Sequence, residues 1–193
     1  ESDVCSSDLS DGSVDEQAYL AHIAEAVRAA GGSSAHPVIT LTPIPNFYYP
    51  GMMVEIDAQA MLGHAARPRV ETPSRLSWLP APFAPALRAG SMIFVGGIEA
   101  RSSDGQIRAR GNAAAQMEIA LDELAESLAV LGAELADVVK LNTYYVNDGD
   151  NWSGLAAARA RRFTGAAPVI MDVPLPALWP EGSAVRIEAK IGR

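Results

Sequence analysis

The 193 residues carry 15 Lys and Arg against 23 Asp and Glu, a net charge of −8, and 49% of them are hydrophobic. That composition can fill a folded core, and it argues against nucleic acid or an anionic membrane as a partner, since both demand clustered cations. No apolar run approaches the roughly 18 residues of a membrane helix, no basic-then-apolar start marks a signal peptide, and Cys5 is the only cysteine, so a cytoplasmic setting without intramolecular disulfides is expected.

Glu1–Asp15 is polar, acidic and Ser-rich. It reads as a disordered or artefactual tail, too poor in apolar residues to order itself. Glu16–Ala30 reads as a helix, with Tyr19, Leu20, Ile23, Val27 and Ala30 at helical spacing and Gly31-Gly32 as its stop. Pro37–Ala58 then occurs a second time as Pro168–Ala189. At an ungapped offset of 131, nine of 22 positions are identical, among them Pro37/Pro168, Ile39/Ile170, Gly51/Gly182 and Ile56/Ile187. Each copy reads as a short apolar strand, a Pro-x-Pro stretch, a turn with Gly, and an alternating strand. A repeat of this kind predicts two homologous domains: residues 16–61 as the C-terminal part of a first, residues 62–74 as a linker, and residues 75–193 as a complete second.

In the second domain Arg75–Trp78 reads as a short strand, and Pro80–Pro85 as an extended loop, because prolines at this density exclude a helix. Ala86–Arg88 and Ser91–Gly96 pair as strands, with Met92–Val95 expected in a buried central position. Asn112–Leu131 is the strongest helix: Met117, Leu121, Leu124, Leu128 and Leu131 form one face, while Glu118, Asp122, Glu123 and Glu126 lie largely off it. Gly132 caps its end. Val138–Val146 is a strand, Trp152–Phe163 a helix, and the second copy of the repeat closes the domain. The order predicts an α+β fold with both helices on one face of a mixed sheet.

That order, together with Ala89–Gly97, Leu131–Val146 and Pro180–Ala189, resembles the Rid family, the YjgF-like reactive-intermediate deaminases with a chorismate-mutase-like fold. The resemblance covers about Leu76 to Arg193 as a whole domain and Glu16 to Met61 as part of another. It implies hydrolysis of enamines and imines derived from amino acids, in clefts between subunits of a trimer. It also implies an Arg that grips the substrate carboxylate and a Glu on the closing strand that positions water. Here the Arg position falls on Ile170, the loop Tyr on Phe83, the Ser of the Gly turn on Gly96, the helix Asn on Ala156 and the closing Glu on Arg186. Glu55 keeps that Glu in the first copy.

The substrate-binding positions are therefore Phe83, Gly96, Ile170, Arg186 and Tyr144, in a cleft more apolar than a deaminase cleft. Arg186 and Asp172 are the candidate catalytic groups, Arg186 as a substitute cation and Asp172 as an acid or base. The plainer readings are a solvated, acid-paired Arg186 and an exposed strand-end Asp172. The second domain contains no His or Cys, which excludes His-based catalysis and His-ligated metal there, and no cofactor is expected. Three functions fit: a divergent enamine/imine hydrolase, a non-catalytic Rid-like protein for metabolite binding or assembly, and a chorismatase-like enzyme. The expected partners are a small-molecule ligand and other copies of the chain, as a trimer of two-domain chains.

Overall fold

The structure, a computed structural model, describes residues 16–31, 36–44, 49–52, 55–57, 59, 69–71 and 79–192. Its elements are α1 (Glu16–Gly31), β1 (Arg69–Glu71), β2 (Ala86–Ala89), β3 (Met92–Glu99), α2 (Ala113–Val130), β4 (Val138–Val146), α3 (Asn151–Arg162), β5 (Val169–Leu175) and β6 (Val185–Gly192). The sheet order is β1-β2-β3-β6-β4-β5. Neighbours are antiparallel except β4 and β5. Because β6 is antiparallel to both β3 and β4, those two strands run the same way, and α2 is the crossover between them. The helix α3 makes the corresponding crossover from β4 to β5, as a parallel connection requires. The mixed α+β fold is thus the one the element order predicts.

Alternation along β6 turns Val185, Ile187, Ala189 and Ile191 toward the helices. They meet Met117, Leu121, Leu124 and Leu128 of α2 in one core, which Ile93, Val95 and Ile98 of β3 and Leu141 of β4 extend. The ends of α2 are closed by local chemistry. Asn112 accepts from the Ala115 amide at 3.0 Å, and Gly132 takes φ 74°. The Ala133 and Gly132 amides return to the Leu128 and Ala129 carbonyls, the paired bonds of a Schellman end. Gln116 ties the helix to the last turn before β6: its amide nitrogen donates to the Gly182 carbonyl at 2.8 Å, and its oxygen accepts from the Ala184 amide at 2.7 Å.

Three local expectations change. Glu123 is buried, because α2 packs on both the sheet and α3, so its covered arc is wider than its apolar stripe. Arg69–Glu71 lies inside the expected linker yet pairs with β2 as an edge strand. In Met92–Val95 only Ile93 and Val95 are buried, since the second sheet face meets a thinner layer than the helices provide. The expected strand Arg75–Trp78 and the tail Glu1–Asp15 lie outside the described residues.

The two repeat copies also differ. The second forms β5 and β6, whereas the described residues of the first, 37–44, 49–52 and 55–57, lie in no strand. Ile187 is fully buried and its counterpart Ile56 is 78% exposed. A strand needs a hydrogen-bonded neighbour along its length. Among its described residues, the first copy meets residues 84–97 through single bonds, from the Ala84 amide to the Pro37 carbonyl at 3.0 Å and from the Gly97 amide to the Ile39 carbonyl at 3.1 Å.

Leu124 is fully buried and Val130 is 40% exposed on the same helix. Leu124→Ala should cost about 2–5 kcal/mol and Val130→Ala less than about 1 kcal/mol. Urea unfolding of the two variants checks this, and equal losses would misplace the core face of α2.

Candidate functional site

The sheet face opposite α2 and α3 carries the polar side chains of the alternation. Arg186 lies there at the centre of β6, in register with Glu99 on β3 and Tyr144 on β4. It is 1% exposed. Three acceptors hold its guanidinium: the Glu99 carboxylate, Glu16 Oε1 at 3.1 Å and the Trp179 carbonyl at 2.8 Å. Arg101 completes the group, donating from Nε to Glu99 Oε2 at 2.8 Å and from Nη2 to Glu16 Oε2 at 2.7 Å. Two buried cations and two buried anions therefore interlock under the first turn of α1. Pairing is the condition on which charges are buried at all. Burial pushes the Arg186 pKa down, and Glu16 opposes that shift.

Next to this group the backbone of β3 is bare. The β3–β6 register shifts between Val95 and Ile98, which leaves Gly96 and Gly97 at an irregularity. Residues 37–42 run across that place as a strap. A Cβ on Gly96 would stand 2.5 Å from the Ile39 carbonyl oxygen and 2.6 Å from Val38 Cγ1, and one on Gly97 would stand 3.2 Å from Arg186 Cδ. The strap therefore needs glycine here.

A second polar group lies further along the same face. Asn142 donates to Glu188 Oε1 at 2.5 Å, and the Tyr144 hydroxyl donates to the same oxygen at 3.4 Å. Burial, and then the Glu188 charge and hydrogen bond, push the Tyr144 hydroxyl up to about 12.

Of the residues singled out from the sequence, Gly96, Tyr144 and Arg186 come together on this face. Ile170 and Asp172 do not. They lie in register with Leu141 and Thr143 on β4, whose side chains are turned to the helices. Asp172 is gripped by Arg159 through two bonds, at 2.6 and 2.9 Å, and accepts from the Trp152 indole at 3.2 Å. Burial works against its ionisation, but the Arg159 hydrogen bonds and charge outweigh burial and lower its pKa. Asp172 is therefore a paired anion, neither a free acid nor an exposed strand end. Arg186 is acid-paired as the plainer reading has it, but buried instead of solvated. Phe83 is buried in a small apolar cluster with Leu20 and Ala24 of α1. Sequence reasoning missed Glu16, Glu99 and Arg101. For Glu16 a signal exists: it extends the Leu20–Ala24 stripe by one helical turn.

Residues 78–191, more than half of the chain, match the family model described as Endoribonuclease L-PSP. The chain belongs to this family. Its solved relatives include a Mycobacterium tuberculosis member of the YjgF/YER057c/UK114 family, 30% identical, which covers 64% of this chain and 97% of its own, with a TM-score of 0.53. A Yersinia pestis protein of the conserved Rid family, 22% identical, covers 65% and 99% with a TM-score of 0.59. Escherichia coli TdcF with bound serine, 19% identical, covers 65% and 98% with a TM-score of 0.57. No curated protein matches the chain.

Within this Rid-like chain the described residues hold no group of three or more His, Cys, Asp and Glu placed to bind a metal ion. No helix among them is long and apolar enough to cross a membrane.

Two titrations test the site. The lowered pKa of Asp172 adds stability that is present above the unfolded carboxyl value of about 3.9 and is lost as pH falls through the folded value. Asp172→Asn should therefore be less stable than wild type at pH 7, and the gap should narrow as pH falls below about 4; urea curves at both pH values read it. The raised pKa of Tyr144 acts in the opposite sense. Its contribution is complete below about 10 and is lost as pH rises through about 12. In Glu188→Gln the tyrosinate absorbance titration should move down toward the ordinary value, and an unmoved titration would remove Glu188 as a cause.

Proposed function

We propose that this chain is a Rid-like protein that holds a small carboxylate metabolite or serves assembly, without hydrolysing imines. One observation carries the reading: the place beside Gly96, where the resemblance puts the deaminase cleft, is filled by Val38 and Ile39 of the chain's own strap. The acid–base groups point the same way. Asp172 is clamped by Arg159, Arg186 is locked in a buried ion cluster, and the Tyr144 proton is held more tightly than usual. General acid–base catalysis works best with a group that titrates near the operating pH, and Asp172 and Tyr144 are both shifted away from it.

The size class of the ligand follows the solved relative that holds serine, a small molecule with one carboxylate. Self-association is supported by β5, an edge strand whose Val169, Ile170 and Met171 are all exposed, since such an edge invites pairing. Together with the internal repeat, it supports a trimer of two-domain chains, in which residues 16–61 belong to the C-terminal part of a first domain.

Ammonia release from freshly generated 2-aminoacrylate should stay at the blank rate at every protein concentration, and chorismate should be returned unchanged. A rate that climbs with protein in either assay overturns the non-catalytic reading and selects the corresponding enzyme.

A further inference from the structure

We infer that α1 is a removable plug, and that its Glu16 carboxylate occupies the place of a small organic monocarboxylate between Arg101 and Arg186. This rests on the metabolite-binding reading above and names its ligand class and its site.

The geometry of Glu16 is that of a bound ligand. Each of its oxygens goes to a different guanidinium, Oε2 to Arg101 at 2.7 Å and Oε1 to Arg186 at 3.1 Å. Planar guanidinium donors are the residue type best matched to a carboxylate. Both arginines and Glu99 belong to the sheet and its adjoining turn, whereas Glu16 arrives from a helix 170 positions away from Arg186 in sequence. With Glu16 withdrawn, two guanidiniums would face one carboxylate. That leaves one excess positive charge at a sheltered place, and such a charge calls for a single negative charge in return.

The guanidinium of Arg186 is also incompletely used. Its Nε and Nη1 are buried and have no hydrogen-bond partner among the described residues. Glu16 offers them nothing, because the carbon beside its carboxylate is a methylene. An acid with an acceptor oxygen on that carbon, a 2-hydroxy or 2-oxo monocarboxylate, would bring an acceptor to the spare donors, which buried polar groups otherwise lack at a cost.

The apolar packing of the plug is separate from the main core. Leu20, Ala24 and Phe83, with partly buried neighbours such as Ile23 and Val27, form a cluster separate from the main core. Satellite clusters of this kind open at lower cost than the whole fold. Detachment of α1 would uncover Arg101 and Arg186 while the core between α2 and the sheet stays intact.

The experiment uses the full chain, with glycolate as the probe and acetate and chloride as comparisons. In wild type, high glycolate should raise hydrogen exchange across residues 17–28 while residues 117–128 stay protected. Removing the internal competitor should raise the binding-competent fraction, so Glu16→Gln should bind glycolate about tenfold more tightly than wild type or better. Acetate should bind more weakly than glycolate, and Arg101→Met in the Glu16→Gln background should abolish the gain. If Glu16→Gln does not fold, the wild-type exchange experiment decides alone. Equal glycolate binding by wild type and Glu16→Gln, with α1 exchange unmoved, overturns the plug and leaves the binding reading standing. If neither protein binds a carboxylate, the plug and the metabolite-binding arm of the proposed function are both overturned. An effect that chloride reproduces overturns the carboxylate assignment.

Discussion

The charge of Arg186 governs the unusual half of this structure. The strand β6 sits between β3 and β4, so its middle is far from both sheet edges. Its odd-numbered residues are covered by α2. An arginine among the even-numbered ones can stay solvated only if that second face is open, or be buried only if acids surround it. The chain takes the second course. Glu99 comes from the neighbouring strand and Glu16 from α1. Arg101 keeps two carboxylates from facing one guanidinium. The helix α1 is in this sense bound by the sheet's charges as well as by its few apolar contacts.

The same face explains the two glycines of β3. A strap that passes within reach of a strand backbone needs positions without a Cβ, and Gly96 and Gly97 supply them at the irregularity of the β3–β6 register. Where the resemblance puts a serine in a deaminase, this chain has Gly96, and the space is taken by its own backbone.

Family membership and the use of the site rest on different residues. Membership is carried by residues 78–191 and by the crossover arrangement of α2 and α3 around the sheet. Catalytic use of that fold depends instead on which side chains are free. Here the charged candidates are satisfied within the chain, Asp172 by Arg159 and Arg186 by Glu99 and Glu16. A fold can hold its shape while its site changes occupation.

Much of this could be read without coordinates. The apolar stripe Met117–Leu128, the glycine after Leu131, the β-rich run Val138–Val146 and the alternation of Val185–Ala189 each specify an element, because helix and strand periods write themselves into nearby residues. The likeness of Pro37–Ala58 to Pro168–Ala189 predicted one form for both copies, which the described residues of the first do not take, since a strand exists only with a neighbour to bond. Departures at Gly96, Ile170 and Arg186 were visible as letters, and their meaning was not. Only the fold put Ile170 and Asp172 on the helix side of the sheet, gave Asp172 to Arg159, and brought Glu16 to Arg186 across 170 positions. Local pattern records which face a residue takes. Which distant charge meets it there is decided by packing, to which no short stretch of sequence has access.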